Sequence, residues 1–193
     1  MKLSSGIVIG SVLGVALCLS LGCSSPCPSF RLPATGQTKC YDDKRNVIDR
    51  TRAEYPGQDS FYHKGFPMAG RFIDNGDGTV TDKGTGLMWQ KDTAPGGESY
   101  DWQQALQYCE DLDFAGQADW RLPNVRELQS IVDYGRFQPA IDPVFGVESG
   151  EYWSSSTYVD CPIGVWLVDF FDGRVNYNGD GVPGYVRAVR DAD

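Results

Sequence analysis

Cysteine is the most versatile reactive residue type in this sequence, because it can act as a nucleophile, bind a metal, form a disulfide or carry a lipid. The chain has six cysteines but a single histidine, His63, which lies in a polar segment. Ser-His-Asp and Cys-His catalysis both need a histidine beside the nucleophile, so this composition argues against them. The cysteines also lack the paired C-x-x-C spacing of a structural zinc site. The sequence therefore predicts a protein that is not an enzyme and has no catalytic residue, metal ligand or cofactor.

Cys23 ends an apolar segment and is the candidate for lipid modification. Residues 7–21 are apolar and follow a positive charge, but they are too few for a membrane-spanning helix. The motif Ser20-Leu-Gly-Cys23 resembles a bacterial lipobox, with serine in place of the usual leucine. Residues 1–22 are predicted to be a signal peptide, and Cys23 to anchor the protein in the bacterial cell envelope, at the outer membrane or surface. An ordinary cleaved signal peptide is the alternative.

Export makes the later cysteines candidates for disulfide bonds. A bond between Cys27 and Cys40 would close a short polar loop, and Cys109 with Cys161 is the second pairing considered. The alternative for Cys109 is a buried free thiol that behaves as a small hydrophobic residue on a helix face.

Composition divides the rest of the chain into a polar arm and a folded domain. Residues 23–65 are rich in Pro, Gly and charged residues and have little periodicity. They are predicted to lie along the domain or to space it from the membrane. Residues 66–193 are predicted to form the domain. The formal net charge of -9 argues against a nucleic-acid partner, because phosphate binding needs a basic face.

Short strand patterns separated by glycine-rich turns open the domain. Arg71–Ile73, Thr79–Asp82 and Leu87–Gln90 predict a β-meander. The first turn, Asp74–Gly78, is rich in oxygen ligands and could bind calcium, but its spacing is not that of an EF-hand loop. The hairpin turn is the favoured interpretation.

Two helices are marked by capping boxes. Asp101 is followed three residues later by Gln104, and Asn124 in the same way by Glu127. Apolar residues follow each cap at helical spacing. These are Trp102, Ala105, Leu106, Cys109 and Leu112 in the first helix, and Leu128, Ile131 and Val132 in the second.

The C-terminal region returns to strand patterns. Val165–Phe170 and Arg174–Tyr177 flank an Asp-Gly turn and predict a hairpin, and Tyr185–Arg190 predicts a closing strand. Strands on both sides of two helices indicate an α+β fold, with the helices beside small antiparallel sheets. Three tryptophans with apolar neighbours are predicted to lie in or near the core. They are Trp120, Trp153 and Trp166.

Motifs spread over residues 31–190 resemble the Lcl C-terminal domain family, which is named for a bacterial collagen-like adhesin. They include Gly76–Asp82, Thr85–Gln90, Asp119–Asn124, Glu127–Ser130, Tyr152–Ser156 and Val186–Arg190. The resemblance implies a C-type-lectin-like fold related to the formylglycine-generating and sulfatase-modifying enzymes. In the adhesin this domain binds glycosaminoglycans. Many members have a cysteine where Ala188 stands, able to pair with the cysteine at position 109; here that partner is missing.

The sugar-binding motifs of calcium-dependent lectins are incomplete in this chain. Gln138-Pro-Ala140 is one carboxylate short of the lectin triplet, and its Trp-Asn-Asp partner is missing. The acidic charge also argues against strong binding of sulfated polysaccharides, unless Arg174, Arg187 and Arg190 gather on one face.

The C-terminal loops are predicted to form the ligand face of a surface-anchored, adhesin-like lipoprotein that binds an extracellular protein or glycan. A structural envelope lipoprotein without a ligand is an alternative. The candidate ligand-binding residues are Tyr158, Asp160, Ile163, Asp169, Phe171, Arg174, Asn176, Tyr177, Asn178, Asp180 and Tyr185.

A biased composition suggests that this face could vary between cells. From Tyr152 onward the chain has no Lys, Glu, Gln or Met, although these are common residues. Every residue in 159–165 and 169–185 can be reached from an adenine-rich Asn codon by changing its adenines. The pattern resembles the variable region of a protein diversified by a retroelement. The alternative is a fixed loop region rich in Gly, Asn and Tyr.

Overall fold

The fold is α+β, with three small antiparallel sheets and short helices. The structure is a computed structural model that describes residues 32–49, 54–161 and 163–192. In chain order its elements are β1 (Cys40–Tyr41), β2 (Val47–Ile48), α1 (Asp59–Tyr62), β3 (Phe72–Asp74), β4 (Thr79–Asp82), β5 (Leu87–Gln90), a 3-10 turn (Pro95–Gly97), α2 (Trp102–Glu110), α3 (Val125–Ser130), β6 (Glu151–Thr157), β7 (Gly164–Asp169), β8 (Arg174–Gly179) and β9 (Val189–Asp191). In the described part of the chain, no helix has the length and apolar character needed to cross a membrane.

The predicted β-meander is confirmed as part of a four-stranded sheet in the order β3-β4-β5-β9. Strands β4 and β5 have the predicted bounds, and β3 begins one residue later than expected. The closing strand is shorter than predicted, because only Val189–Asp191 pairs with β5. Tyr185, earlier in the same segment, forms a bridge with Tyr152 of β6 instead. The segment therefore crosses from one sheet to the other, which ends regular pairing before β9.

The second main sheet has the order β6-β7-β8, and its β7–β8 hairpin was predicted. Strand β6 was not predicted as a strand, because its serine-rich end lacks the usual strand residues. It pairs with β7 and buries both Tyr152 and Trp153. The register shifts after Trp153, and there Ser154 Oγ donates to the carbonyl of Trp166 at 2.6 Å.

Both predicted capping boxes are present. Asp101 accepts from the backbone N–H of Gln104 at 2.8 Å, and the Gln104 side chain accepts from the Asp101 N–H. Asn124 and Glu127 make the reciprocal pair of bonds at the start of α3. Because each box satisfies donors that a helix start leaves free, both helices begin where the sequence predicts.

The two helices cover opposite faces of β7. On one side Val168 lies in a cluster with Leu128 and Ile131 from the α3 region. On the other side Leu167 lies in a cluster with Ala105 and Cys109 of α2. With both faces of its central strand packed, the β7–β8 hairpin is held firmly enough to position a surface at its ends.

The first described residues of the polar arm dock on the domain. The N–H of Tyr134 donates to the Thr35 carbonyl at 2.7 Å, and Pro33 forms a bridge with Phe66. Gly36 has a φ of +80° and lies so close to the Asp133 carboxylate that a Cβ would overlap it. These residues of the arm lie along the domain, which is one of the two predicted arrangements. The boundary at residue 65 stays a prediction.

Candidate binding surface

The structure divides the predicted ligand-binding residues between the two ends of the β7–β8 hairpin. The register pairs Val165 with Asn178 near one end and Asp169 with Arg174 at the other. Four residue steps along the strand separate these pairs, a distance of about 14 Å at the usual rise per residue. One continuous site made of all eleven residues is therefore not what the fold creates.

Three aromatic rings meet at the first end. Tyr158, which directly follows β6, stacks on Tyr177 with ring centroids 4.5 Å apart and planes at 25°. Trp166 stands nearly perpendicular to both, with its centroid 5.4 Å from Tyr158 and 5.8 Å from Tyr177. The register pairs Trp166 with Tyr177, which places their side chains on the same face of the sheet. These three residues are called the aromatic patch below.

Gly164 lies beside the aromatic patch. A Cβ at this position would lie 3.4 Å from the Tyr158 Cβ and 3.5 Å from the Tyr177 ring. Backbone hydrogen bonds also fix the loop, since Tyr158 N–H donates to the Gly164 carbonyl at 2.7 Å and Cys161 N–H to the Tyr158 carbonyl at 3.1 Å. The stacked pair is thus presented by a hydrogen-bonded loop.

The surroundings of the aromatic patch are exposed, apolar and acidic. Val159 is 92% exposed, Ile163 66% and Tyr177 49%, which are high values for large hydrophobic side chains. Asp160 and Asp180 are exposed at the same end of the hairpin, and the Asp180 N–H donates to the Ile163 carbonyl at 3.0 Å. Neither the loop nor the last residues of β8 contain a basic residue.

Of the three tryptophans predicted to lie in or near the core, Trp166 lies nearest the surface. Trp120 and Trp153 are buried as predicted, at 2% and 1% exposure. Trp166 is only partly buried and belongs to the aromatic patch. Its apolar neighbours Val165 and Leu167 are buried, but they point to the opposite face of β7.

At the other end of the hairpin the predicted residues hold the turn together. The carboxylate of Asp169 accepts from the Phe171 N–H at 2.8 Å, and the Phe171 ring packs edge to face on Phe137 with centroids 5.1 Å apart. Arg174 is paired with Asp172 at 2.7 Å. These contacts define a well-formed turn, with the ring of Phe137 63% exposed beside it.

The remaining predicted residues have local roles. Tyr185 packs on the ring of Tyr152 at 5.4 Å and is partly buried against the core. Asn176 and Asn178 lie on β8, the edge strand, and their side-chain oxygens accept from the N–H groups of Tyr177 and Gly179. Part of the sheet edge is therefore already hydrogen-bonded within its own strand.

The three arginines considered for sulfated polysaccharides do not form a basic face. Arg187 is fully buried, and its guanidinium donates to the carbonyls of Gln90, Lys91 and Gly146. Arg190 is 4% exposed and pairs with Asp119 at 2.7 Å. Only Arg174 is exposed, and its charge is balanced by neighbouring aspartates.

The cysteines correct the second predicted disulfide. Cys109 and Cys161 are both free thiols, the first buried in α2 and the second exposed in the loop after β6. Burial raises the pKa of the Cys109 thiol to about 12, which keeps it protonated at neutral pH. Cys40 is buried and pairs with neither of these cysteines, and its Sγ lies 2.9 Å from Ser60 Oγ. Cys23 and Cys27 lie outside the described residues, so lipidation and the Cys27–Cys40 bond stay predictions.

The acidic turn after β3 is a hairpin turn, as the sequence favoured. The Asp74 carboxylate accepts from the Gly76 N–H at 3.0 Å and pairs with Lys91 at 2.7 Å. The Asp77 carboxylate accepts from both the N–H and the hydroxyl of Thr79. Within the ranges that the structure describes, no group of three or more His, Cys, Asp or Glu residues could hold a metal ion.

Sequence reasoning missed a groove between the docked arm and α3. It has a volume of about 570 Å³ and a mainly apolar lining. Leu32 and Pro33 form one wall, and Gln129, Val132 and Tyr134 contribute to the other. No local pattern marks this groove, because its walls are about a hundred residues apart in the chain.

The fold and the aromatic patch define a class: a small α+β domain that presents aromatic side chains at one end of a hairpin packed on both faces. A family model described as the Lcl C-terminal domain matches residues 78–190, more than half of the chain. The chain belongs to the Lcl C-terminal domain family, as its motifs predicted. This membership suggests an adhesin-like domain. A search of curated proteins found no match to this chain.

Proposed function

We propose that this protein is a non-catalytic, adhesin-like lipoprotein that binds an extracellular protein or glycan through its aromatic patch. Lipid attached at Cys23 would hold it in the cell envelope, at the outer membrane or surface. The observation that carries the proposal is the exposed Tyr177, stacked on the partly buried Tyr158 beside Trp166. A C-type-lectin-like fold, which the family resemblance implies, is part of the same proposal.

The physical argument rests on exposed aromatic area held in one geometry. Large apolar side chains on a surface are stabilised when a partner removes them from water. Tyr and Trp dominate the energy of many interfaces, because they bury a large area and lose little conformational freedom. Here the rings already contact one another and the loop is hydrogen-bonded, so binding would order few additional groups.

The thiols support a non-catalytic role. An enzyme that uses cysteine needs an accessible thiol with a lowered pKa. The Cys109 thiol is buried, and its pKa is raised rather than lowered. Cys161 is exposed but does not pair with Cys109, so the two do not form a reactive dithiol.

The negative charge of the protein argues against a polyanion as its ligand. The formal net charge is -9, and the exposed Asp160 and Asp180 lie at the same end of the hairpin as the aromatic patch. A sulfated polysaccharide would be repelled by these carboxylates. Neutral sugars can lie on the aromatic faces, and protein side chains can pack against the same rings.

Replacing Tyr177 with alanine is expected to weaken ligand binding by at least tenfold, because it removes half of the stacked pair. The probes are immobilised neutral oligosaccharides, heparin and a panel of extracellular-matrix proteins, tested with the full-length protein by surface plasmon resonance. Phe137→Ala is the matched control, since it removes another exposed ring at the far end of the hairpin. Equal binding by wild type and Tyr177→Ala to every probe that binds would contradict the proposal. Binding to no probe would favour the structural-lipoprotein alternative.

Diversification of the binding face is a second candidate, favoured by the composition after Tyr152. The predicted variable segments include Val165 and Phe170, which are both fully buried. Random replacement there would leave cavities or buried polar groups and destabilise the fold. The hypothesis is therefore narrowed to exposed positions such as Val159, Asp160 and Tyr177.

Sequencing the 3′ end of the gene from many sibling cells tests this candidate. Diversification predicts that substitutions concentrate at the exposed positions of residues 159–163 and 174–183. They should spare the buried positions between these two segments. If substitutions at these exposed positions are no more frequent than in residues 119–134, the binding face does not vary between cells and the diversification hypothesis is wrong.

A further inference from the structure

We propose that the aromatic patch recognises the cationic side chains of a basic protein partner, Lys or Arg. This inference rests on the proposed function and specifies its ligand. The negative faces of aromatic rings attract a cation that lies within about 6 Å of the ring centroid. The aromatic patch combines such rings with two carboxylates, Asp160 and Asp180, at the same end of the hairpin.

Tyr177 offers the accessible ring face. One of its faces lies against Tyr158 and one of its edges against Trp166, yet the residue is 49% exposed. The face opposite Tyr158 is the part of the ring that these two contacts leave open. A guanidinium or ammonium group lying on this face would also contact the apolar side chains of the loop with its methylene groups. Ile163 is one such side chain of the loop and is 66% exposed. It precedes Gly164, whose backbone pairs with Gly179 of β8.

The cation–ring contacts of the described residues do not involve the rings of the aromatic patch. Among the described residues, the close cation–ring pairs place Arg71 over Phe72, and Arg187 over Phe145 and Tyr152. These pairs lie in the interior, away from the aromatic patch. The exposed Arg174 is at the opposite end of the hairpin and is paired with Asp172. These arginines therefore do not occupy the ring faces that a cation of a partner would bind.

Charge complementarity favours a basic partner over a neutral one. Residues 158–164 and 176–180 carry two carboxylates and no basic residue, within a chain of formal net charge -9. Such a field raises the encounter rate with a positively charged protein. The edge of β8 is less suited to pairing with a partner strand, because the N–H groups of Tyr177 and Gly179 already donate to asparagine side chains. These contacts therefore favour recognition through side chains over pairing of a partner strand with β8.

The test uses peptides that differ only in charge. Capped hexalysine and capped hexa(Nε-acetyl-lysine) are titrated into the full-length protein in non-ionic detergent, and binding is measured by calorimetry. Wild type should bind hexalysine, and acetylation should abolish binding. Tyr177→Leu keeps apolar area but loses the ring, and should weaken binding about three- to tenfold, whereas Tyr177→Phe should bind like wild type. Thermal unfolding of each variant verifies that the fold is retained.

A matched pair of charge variants separates local recognition from general attraction. Asp160→Asn and Asp180→Asn should each weaken hexalysine binding about two- to fivefold at low salt. Glu110→Gln removes the same charge from the exposed end of α2 and should change binding less than either. Equal effects of all three variants, or unchanged binding by Tyr177→Leu, would overturn the inference. If hexalysine does not bind but another probe binds in a Tyr177-dependent way, the inference fails alone and the proposed function stands.

Discussion

Replacing Asp82 with alanine will lower the free energy of unfolding by about 3–5 kcal/mol. Asp82 and Arg71 form an ion pair in which both side chains are fully buried. Arg71 Nε donates to one carboxylate oxygen at 2.6 Å and its Nη2 to the other at 2.5 Å. Removing the carboxylate would leave a buried guanidinium without its counter-ion, which is far more costly than losing a surface ion pair.

Asp82 also organises the structure around it. It accepts hydrogen bonds from the Gly84 N–H and the Thr85 hydroxyl in the turn between β4 and β5. Its partner Arg71 donates to the carbonyl of Ser130 at the end of α3, at 2.9 Å. The ion pair therefore ties the four-stranded sheet to α3, which lies against the hairpin that carries the aromatic patch.

Urea denaturation followed by tryptophan fluorescence measures the effect. Asp74→Ala is the control, because Asp74 pairs with Lys91 in a solvent-accessible bridge and its loss should barely move the urea midpoint. The double variant Arg71→Met with Asp82→Leu should be less destabilised than Asp82→Ala, since it removes both charges together. A midpoint for Asp82→Ala equal to that of the control would show that the pair is solvated.

The second large effect is expected at Trp153, whose replacement by alanine will cost about 3–5 kcal/mol of stability. Trp153 is 1% exposed and packs in the cluster between β7 and α2. Its Nε1 donates to the carbonyl of Tyr100 at 2.9 Å, and Gly184 lies so close that a Cβ there would be 2.8 Å from Nε1. The surrounding backbone is thus fitted to the indole and can collapse little into the cavity.

Trp166→Ala is the matched comparison, with the same change on the same sheet. Trp166 is partly exposed, so its removal leaves an indentation that water can fill, and it should destabilise much less than Trp153→Ala. Thermal unfolding by circular dichroism would rank the two variants. Equal losses of stability would mean that Trp166 is as deeply packed as Trp153 and is not part of an accessible surface.

Local chemistry in the sequence was enough to locate most elements. Each capping box needs only a cap residue and a Glu or Gln three residues later, so α2 and α3 begin at the predicted caps. Glycines at positive φ and alternating strand residues place β4 and β5 within their predicted bounds. Family motifs are also local, and the family match confirms those that lie within residues 78–190.

Features that depend on distant contacts were predicted less well. Strand β6 exists because β7 offers it a partner, and its serine-rich end carries no strand pattern of its own. The aromatic patch joins Tyr158, Trp166 and Tyr177 only through the register of two strand pairs. The predicted ligand residues all fall within the segment 158–185, but the same register divides most of them between two ends of a hairpin.

The sequence by itself determined where the helices begin, where the turns lie and which family the chain belongs to, because these depend on neighbouring residues. Only the tertiary structure decided which charges and rings face the solvent. Arg187 and Arg190 were considered as part of a basic face, yet one donates to three backbone carbonyls and the other to Asp119, and both are buried. Trp166 has the neighbours of a core residue but lies on the partly exposed face of β7. Burial is set by what packs from far along the chain, and a local pattern does not contain that information.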